Sequence, residues 1–408
     1  MKIYNYISKT FVVMAFAMLC SFVATLRLGD VLSPESFGIF NLLKRIFPMC
    51  AAIILLGIDK SYIKYFSFNK PKRIFKYILI LIIFNSSIIS SIIIYLYDFG
   101  DYQLSILICL IIFSFTLFLT SYARLNNEYG VAQFVQAGHK IIFFILVIAL
   151  ISFYDINLFG IVNIFTVSFL IPFLYIIKYF ADEYSFKTYI SLYEFKKIII
   201  YGFLFFSVNI LNLLIVNMEG LLIPYFYGQE ANGIYSGLSF IYITVFTMIA
   251  TSVGYVLFPM LSKKEKIDIK KLGFYAILGV IALLVFFIIF GESINSIAFK
   301  GKFDSYRSFK IDIMIILIGA FQFANGLLHW CILGIGSTKN IADYLKVILF
   351  VLIVYFFYSA HIASSNVGDF FQIVPIVLSA WVFKVLFTVI FIRKVRLFED
   401  YLINKNEI

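Results

Sequence analysis

Apolar runs of about 20 residues alternate with short polar or charged breaks along nearly the whole chain, the length that a helix rising 1.5 Å per residue needs to cross a hydrocarbon core about 30 Å thick. Twelve such runs can be drawn, near residues 9–28, 37–59, 77–97, 104–123, 140–154, 160–179, 198–218, 234–258, 273–291, 312–333, 346–362 and 373–392. The pattern predicts an all-α, polytopic integral membrane protein of about 12 transmembrane helices.

The breaks carry the orientation. Counting Lys and Arg on alternate sides puts 25 on the side that holds the N-terminus and 5 on the other, with only Lys44, Arg45 and Lys384 well inside runs. Basic loops stay cytoplasmic, so both termini are expected in the cytoplasm and the number of spans is expected to be even. The breaks expected outside are short and carry Asp98, Asp101, Asp155, Glu230 and Asp369. None is long enough to fold as a soluble domain. Lys2 and Lys9 before the first run resemble a signal peptide, but no A-x-A-like site follows, so that run is taken as the first span.

Composition sharpens this picture. Hydrophobic residues make up 62% and charged residues 13% of 408 positions, with mean hydropathy +1.00, against about 45–50% and 25% in soluble proteins. The net charge of +11 is therefore a topology signal and not a nucleic-acid surface. Cys20, Cys50, Cys109 and Cys331 all lie in apolar runs with no CxxC pair or Cys/His cluster, so neither a disulfide framework nor a metal site is expected.

The longest expected cytoplasmic break divides the spans six and six, giving a lobe over 1–180, a linker over 181–197 and a second lobe over 198–408. An internal repeat supports the division. Glu35-Ser36-Phe37-Gly38-Ile39-Phe40 entering the second span aligns with Glu230-Ala231-Asn232-Gly233-Ile234-Tyr235 entering the eighth, at an offset of 195 residues. Two copies of six spans share one orientation, so their pseudo-symmetry axis runs along the membrane normal, and transporters built this way bind substrate between halves that rock.

The second span holds the most unusual chemistry. Asn41, Lys44, Arg45, Pro48 and Ala52 share one side of a helix, with the cations roughly 10–12 Å below its outer end. Charges at that depth cost at least a few kcal/mol and usually face a protein interior or water. Arg45 can hold a phosphate through two parallel hydrogen bonds and Lys44 as a point charge; the competing reading is that both snorkel to the interface. Arg27 beside Asp30 reads as a paired interfacial anchor or as a guard of the outer mouth. Asn209, Asn212 and Glu219 loosely share a side of the seventh span, where Glu219 either serves proton or cation coupling or sits at the interface. Gln322, Asn325 and His329, followed by Trp330, form a stripe that can hydrogen-bond sugar hydroxyls or glue helices together. Lys384 lies too deep for easy snorkelling. Asn85, Ser86, Ser87, Ser90 and Ser91 read as packing residues, and Lys300–Lys310 as a solvated outer loop balanced by Asp304 or an amphipathic surface segment. Nothing reads as a nucleophile elbow, P-loop or Rossmann turn, so no catalytic residue, cofactor or enzyme activity is expected.

Several of these segments resemble the polysaccharide flippases of the multidrug/oligosaccharidyl-lipid/polysaccharide exporter (MOP) superfamily, especially bacterial O-antigen and capsule repeat-unit flippases of the Wzx type. The resemblance is carried by LSPESFGIFNLL at 32–43, LLGIDKSYIKYF at 55–66, YGFLFFSVNILNLLIVNMEGLLIPYFYGQEANGIYSGLSFIY at 201–242 and FPMLSK at 258–263. It implies a MATE/MOP-like fold of two six-helix lobes around a cavity, in the bacterial inner membrane. The implied activity is movement of a polyprenyl-pyrophosphate-linked oligosaccharide from the cytoplasmic to the outer leaflet. The family often has an acidic residue where Glu219 stands. Implied partners are the lipid-linked oligosaccharide, the bilayer, and a polysaccharide polymerase with its chain-length machinery, with no nucleic acid. The alternatives are a cation-coupled drug exporter of the same fold, for which buried carboxylates would be favoured, and a membrane O-antigen polymerase, for which a large outer loop with Arg and His would be expected.

Overall fold

The computed structural model describes residues 2–66, 75–97, 103–126, 128–153, 158–179, 192–262, 269–365, 370–395 and 397. The expected linker at 181–197, the basic stretches at 67–74 and 263–268, and the outer Asp98, Asp101, Asp155 and Asp369 lie wholly or mostly outside them.

Every extended element among the described residues is helical: α1 Lys2–Val31, α2 Pro34–Leu55, α3 Ile58–Phe66, α4 Phe75–Tyr97, α5 Gln103–Leu125, α6 Tyr129–Phe153, α7 Leu158–Tyr179, α8 Leu192–Ser262, α9 Ile269–Ala298, α10 Phe309–Ile335, α11 Thr338–Ser365 and α12 Ile373–Lys394. Ten described stretches are long and apolar enough to cross a membrane, and one of them, Tyr193–Gly254 in α8, has 62 residues. An unbroken helix of α8's length would measure roughly 105 Å, over three bilayer cores. Gly228 breaks it, at φ 86° and ψ 172°, a conformation open in practice to glycine alone. With α8 counted as two crossings and apolar α4 added, the fold agrees with about 12 spans. The α9 surface confirms the solvent: Ile277, Leu278, Ile281, Val285, Ile288 and Ile289 are all exposed, a stripe that only hydrocarbon tolerates at this extent.

Local signals set the helix starts. Ser33 caps α2 by accepting the Ser36 amide at 3.2 Å, with Pro34 in the first turn and Glu35 at the positive end of the helix dipole. Ser308 caps α10 through the Ile311 amide, and Ser337 precedes α11 by accepting from Asn340. Several boundaries differ from the hydropathy reading. The expected span over 37–59 is α2 and a separate α3, divided at Leu56 and Gly57, both at positive φ; Asp59 lies in the first turn of α3. The expected span over 140–154 begins eleven residues earlier, as α6, which carries Lys140 from a loop into the body of a helix.

The chain forms two compact units. One holds Met1–Leu28 and Leu43–Ile210, the other Gly29–Leu42 and Leu211–Ile408. In the first unit α5 is central, packed by α3, α4, α6 and α7, with Cys109, Leu110, Phe118, Leu119 and Ala123 fully buried. Phe165 joins Phe47 at 5.7 Å, Phe143 at 5.5 Å and Phe169 at 5.1 Å, an aromatic seam tying α2, α6 and α7 together. At the α2–α3 break Asn85 of α4 donates to the Ile54 carbonyl at 2.9 Å, so Asn85 satisfies backbone as well as packing. In the second unit α10 packs on α9, α11 and α12.

The tip of the first hairpin, Gly29–Leu42, belongs to the second unit, and there the two repeat copies meet. A Cβ on Gly38 would lie 2.3 Å from the Gln229 carbonyl oxygen, and one on Gly233 would lie 2.0 Å from the Pro34 carbonyl oxygen. Both pairs are related by the 195-residue offset, so the duplicated sequence forms a near-symmetric crossing in which each copy lets the other's backbone in. Asn232 locks it, donating to the Gly38 carbonyl at 3.0 Å. Gly233→Ala is expected to lower stability by about 2 kcal/mol or more, because the opposing atoms are backbone. Gly273→Ala in α9, where a Cβ meets nothing within 4 Å, is expected to be neutral or to stabilise by about 0.5–1 kcal/mol. Thermal unfolding of the detergent-solubilised variants measures both.

Candidate functional site

In the first unit, α2 and α6 gather Lys44, Arg45 and Lys140, each half-buried. Lys44 lies within electrostatic reach of both Lys140 and Arg45. Its Nζ donates to Thr25 Oγ1 at 3.0 Å, and that hydroxyl donates to the Ser21 carbonyl at 2.9 Å, so α1 fixes the direction of the ammonium. Arg45 Nη1 is buried with no hydrogen-bond partner among the described residues. Beside Lys140, His139 stacks on Phe169 at 4.3 Å. Lys44 therefore lies among two further cations, an arrangement whose positive charge a multivalent anion can offset.

Toward α3 the unit handles charge differently. Asp59 interacts with both Lys60 and Arg124, and Lys60 Nζ reaches Asn209 Oδ1 at 2.5 Å. Arg124 and Lys60, expected in loops, are helical, with Arg124 buried; here Asp59 offsets part of the positive charge and the Asn209 amide accepts a hydrogen bond from Lys60.

The second unit has its own polar interior. Lys384, fully buried on α12, donates to Asn212 Oδ1 of α8 at 2.5 Å and lies 4.7 Å from the Trp381 ring centroid. Asn325 of α10 donates to the same Asn212 oxygen at 3.4 Å. Gln322 and Asn325 are buried, and both Gln322 amide atoms, Asn325 Oδ1 and Trp381 Nε1 lack a partner among the described residues. His329 is buried against Trp330 and Tyr344. Glu219 is 2% exposed in α8.

The expected site residues thus separate. Lys44 and Arg45 come together and gain Lys140. Asn212, Asn325 and Lys384 form one hydrogen-bonded chain, with Gln322 one turn from Asn325 on α10 and His329 further along it. Asn41 lies with the second unit and directs its amide to the Phe37 carbonyl at 2.9 Å. Arg27 is exposed, and Asp30 pairs with Lys300 at 2.6 Å. Hydropathy hides Lys140 because YGVAQFVQAGH before it is only mildly apolar. The missed signal is the spacing of Ala132, Val135, Phe143 and Val147, all buried, which continues one helical face across Lys140.

Asn212→Leu is expected to cost about 1–3 kcal/mol, since it leaves a buried ammonium without its acceptor. Lys384→Met in the same chain is expected to recover most of that loss. A double-mutant cycle on thermal unfolding reads the coupling.

Residues 5–265 match the family model described as "Polysaccharide biosynthesis protein". No curated protein matches. Among solved structures the chain is similar to a multidrug resistance MATE family transporter of the MOP superfamily in an inward-facing conformation (13% identity, TM-score 0.64, covering 95% of this chain and 98% of that one). It is similar to the Vibrio cholerae MATE transporter VcmN in the bent form (13%, 0.65, 99% and 98%). It is also similar to a MOP superfamily transporter from Pyrococcus furiosus whose title describes a binding pocket of reverse polarity (14%, 0.63, 96% and 97%).

Proposed function

The chain belongs to the polysaccharide biosynthesis protein family and has the fold of MOP-superfamily transporters; on that premise we propose that it is a flippase for a polyprenyl-pyrophosphate-linked oligosaccharide, an O-antigen or capsule repeat unit, working by alternating access. A family tied to polysaccharide synthesis on a transporter fold needs a step in which a sugar made on one membrane face reaches the other. The observation that carries the substrate class is the grouping of Lys44, Arg45 and Lys140 with a buried Arg45 Nη1 left open. A pyrophosphate diester brings two negative charges and several acceptor oxygens to such a cluster, while the lipid tail stays in the bilayer. The amide and indole groups around Gln322, Asn325 and Trp381 suit sugar hydroxyls. The bacterial inner membrane with both termini cytoplasmic, two six-helix lobes, and a polymerase with chain-length machinery as partners belong to the same reading.

Glu219 supports drive by a cation gradient, since a buried carboxylate binds protons or metal cations. It also favours the second reading, a cation-coupled exporter of small molecules.

Replacing Lys44, Arg45 and Lys140 together by Ala is expected to reduce surface polysaccharide at least about tenfold at equal protein level, the effect of losing about 1.4 kcal/mol of binding or more. Immunoblotting of surface polysaccharide in a strain lacking the native copy measures it. Unchanged polysaccharide would sink the phosphate site. A substrate-sized effect on dye efflux instead would favour the exporter.

A further inference from the structure

Gly29–Leu42 is the tip of the N-terminal hairpin, yet it is built into the compact unit formed by the C-terminal half. The segment after α9 holds it there. Lys302 Nζ donates to the Gly29 and Leu32 carbonyl oxygens at 2.9 and 2.6 Å, supplying donors at the negative end of α1 where the helix has no internal ones left. Lys300 pairs with Asp30 at 2.6 Å. Phe299 packs on Gly29 and sits 6.3 Å from Phe37, ring to ring. The same tip carries the Gly38–Gly233 crossing with its Asn232 bond.

This arm is itself anchored, which makes it a clasp, while Lys300, Asp304, Ser305, Tyr306, Ser308 and Lys310 stay exposed and Asp304 lies 3.9 Å from Arg307, in keeping with the expected solvated loop balanced by that acid. Arg307, its side chain 6% exposed, bonds Asp312 Oδ2 at 2.7 Å, the Glu292 carbonyl at 2.8 Å and the Tyr242 hydroxyl at 2.9 Å. Ser296 donates to Asp304 at 2.6 Å, and Phe303 packs on Gly237. The arm thus binds α8, α9 and α10, and the tip through two hydrogen bonds, one ion pair and the packing of Phe299 on Gly29 and Phe37.

We propose that this clasp is the gate on the face that the charge bias puts outside, and that its release from Gly29–Leu42 is the step that opens that face. The inference rests on the alternating-access reading. Helices α1 and α2 run without a break from the tip into the other unit, so a change in that unit's position pulls on the tip directly. The Lys300 and Lys302 contacts exchange for water at little cost once separated, which leaves the Phe299 packing on Gly29 and Phe37 and the Asn232 bond to break.

The test places a reporter thiol at Ala231→Cys, 8% exposed beside the crossing, in a chain whose four natural cysteines are buried, and follows its labelling by a membrane-impermeant maleimide in intact cells. Lys300→Ala with Lys302→Ala is expected to speed labelling about tenfold, the shift produced by about 1.4 kcal/mol, and Lys300→Arg with Lys302→Arg to stay near the parent rate. In a chain without the reporter, Asp30→Cys with Lys300→Cys bridged by a short bis-methanethiosulfonate, each thiolate forming a disulfide as a sulfinate leaves, is expected to lower surface polysaccharide at least about tenfold, with reductant restoring it. Unchanged labelling in the alanine pair, or full export with the bridge in place, overturns the gate. Labelling needs no substrate, so failure of the flippase reading would appear in the Lys44, Arg45 and Lys140 variants while the clasp responses persist.

Discussion

Hydrocarbon offers no hydrogen bond, and every polar atom carried into it must be satisfied by the protein itself. That constraint accounts for the helical architecture, in which the backbone serves its own needs, and for the places where side chains serve it. Asn85 reaches the carbonyl exposed at the α2–α3 break, Asn232 the Gly38 carbonyl at the repeat crossing, and Ser61 the Ile198 carbonyl at the start of α8. Each of these polar residues sits where one helix ends or passes close to another.

The same constraint makes the exceptions informative. The fold neutralises its charges where it can: Asp59 lies with Lys60 and Arg124, Asp312 with Arg307, Asp30 with Lys300. Lys384 is cradled by Asn212 and an indole face. The cluster of Lys44, Arg45 and Lys140 stands out because its charges add. A positive interior in the first unit and an amide-rich interior in the second set the two units apart in chemistry.

Duplication explains how one chain can do this asymmetrically. The two repeat copies keep the backbone crossing, where Gly38 and Gly233 are interchangeable by geometry. Further along the same helices the copies diverge, with Lys44 and Arg45 in one and Ser239 and Phe240 in the other. Symmetry is retained where helices must approach closely and lost where Lys44 and Arg45 stand.

The sequence by itself determined the membrane class, the span count and the cationic second helix, because apolar length and a buried charge are costs that no tertiary context removes. It also marked the repeat, since glycine with aromatic neighbours at a fixed offset reflects local backbone geometry. Only the tertiary structure placed Lys140 beside Lys44, gave Asp30 to Lys300 instead of Arg27, turned Lys300–Lys310 into an anchored arm and carried the first hairpin's tip into the C-terminal unit. These depend on which helices become neighbours across tens to hundreds of residues. Hydropathy carries no such information, because packing, and not the strength of the apolar signal, chooses the partner of each polar group.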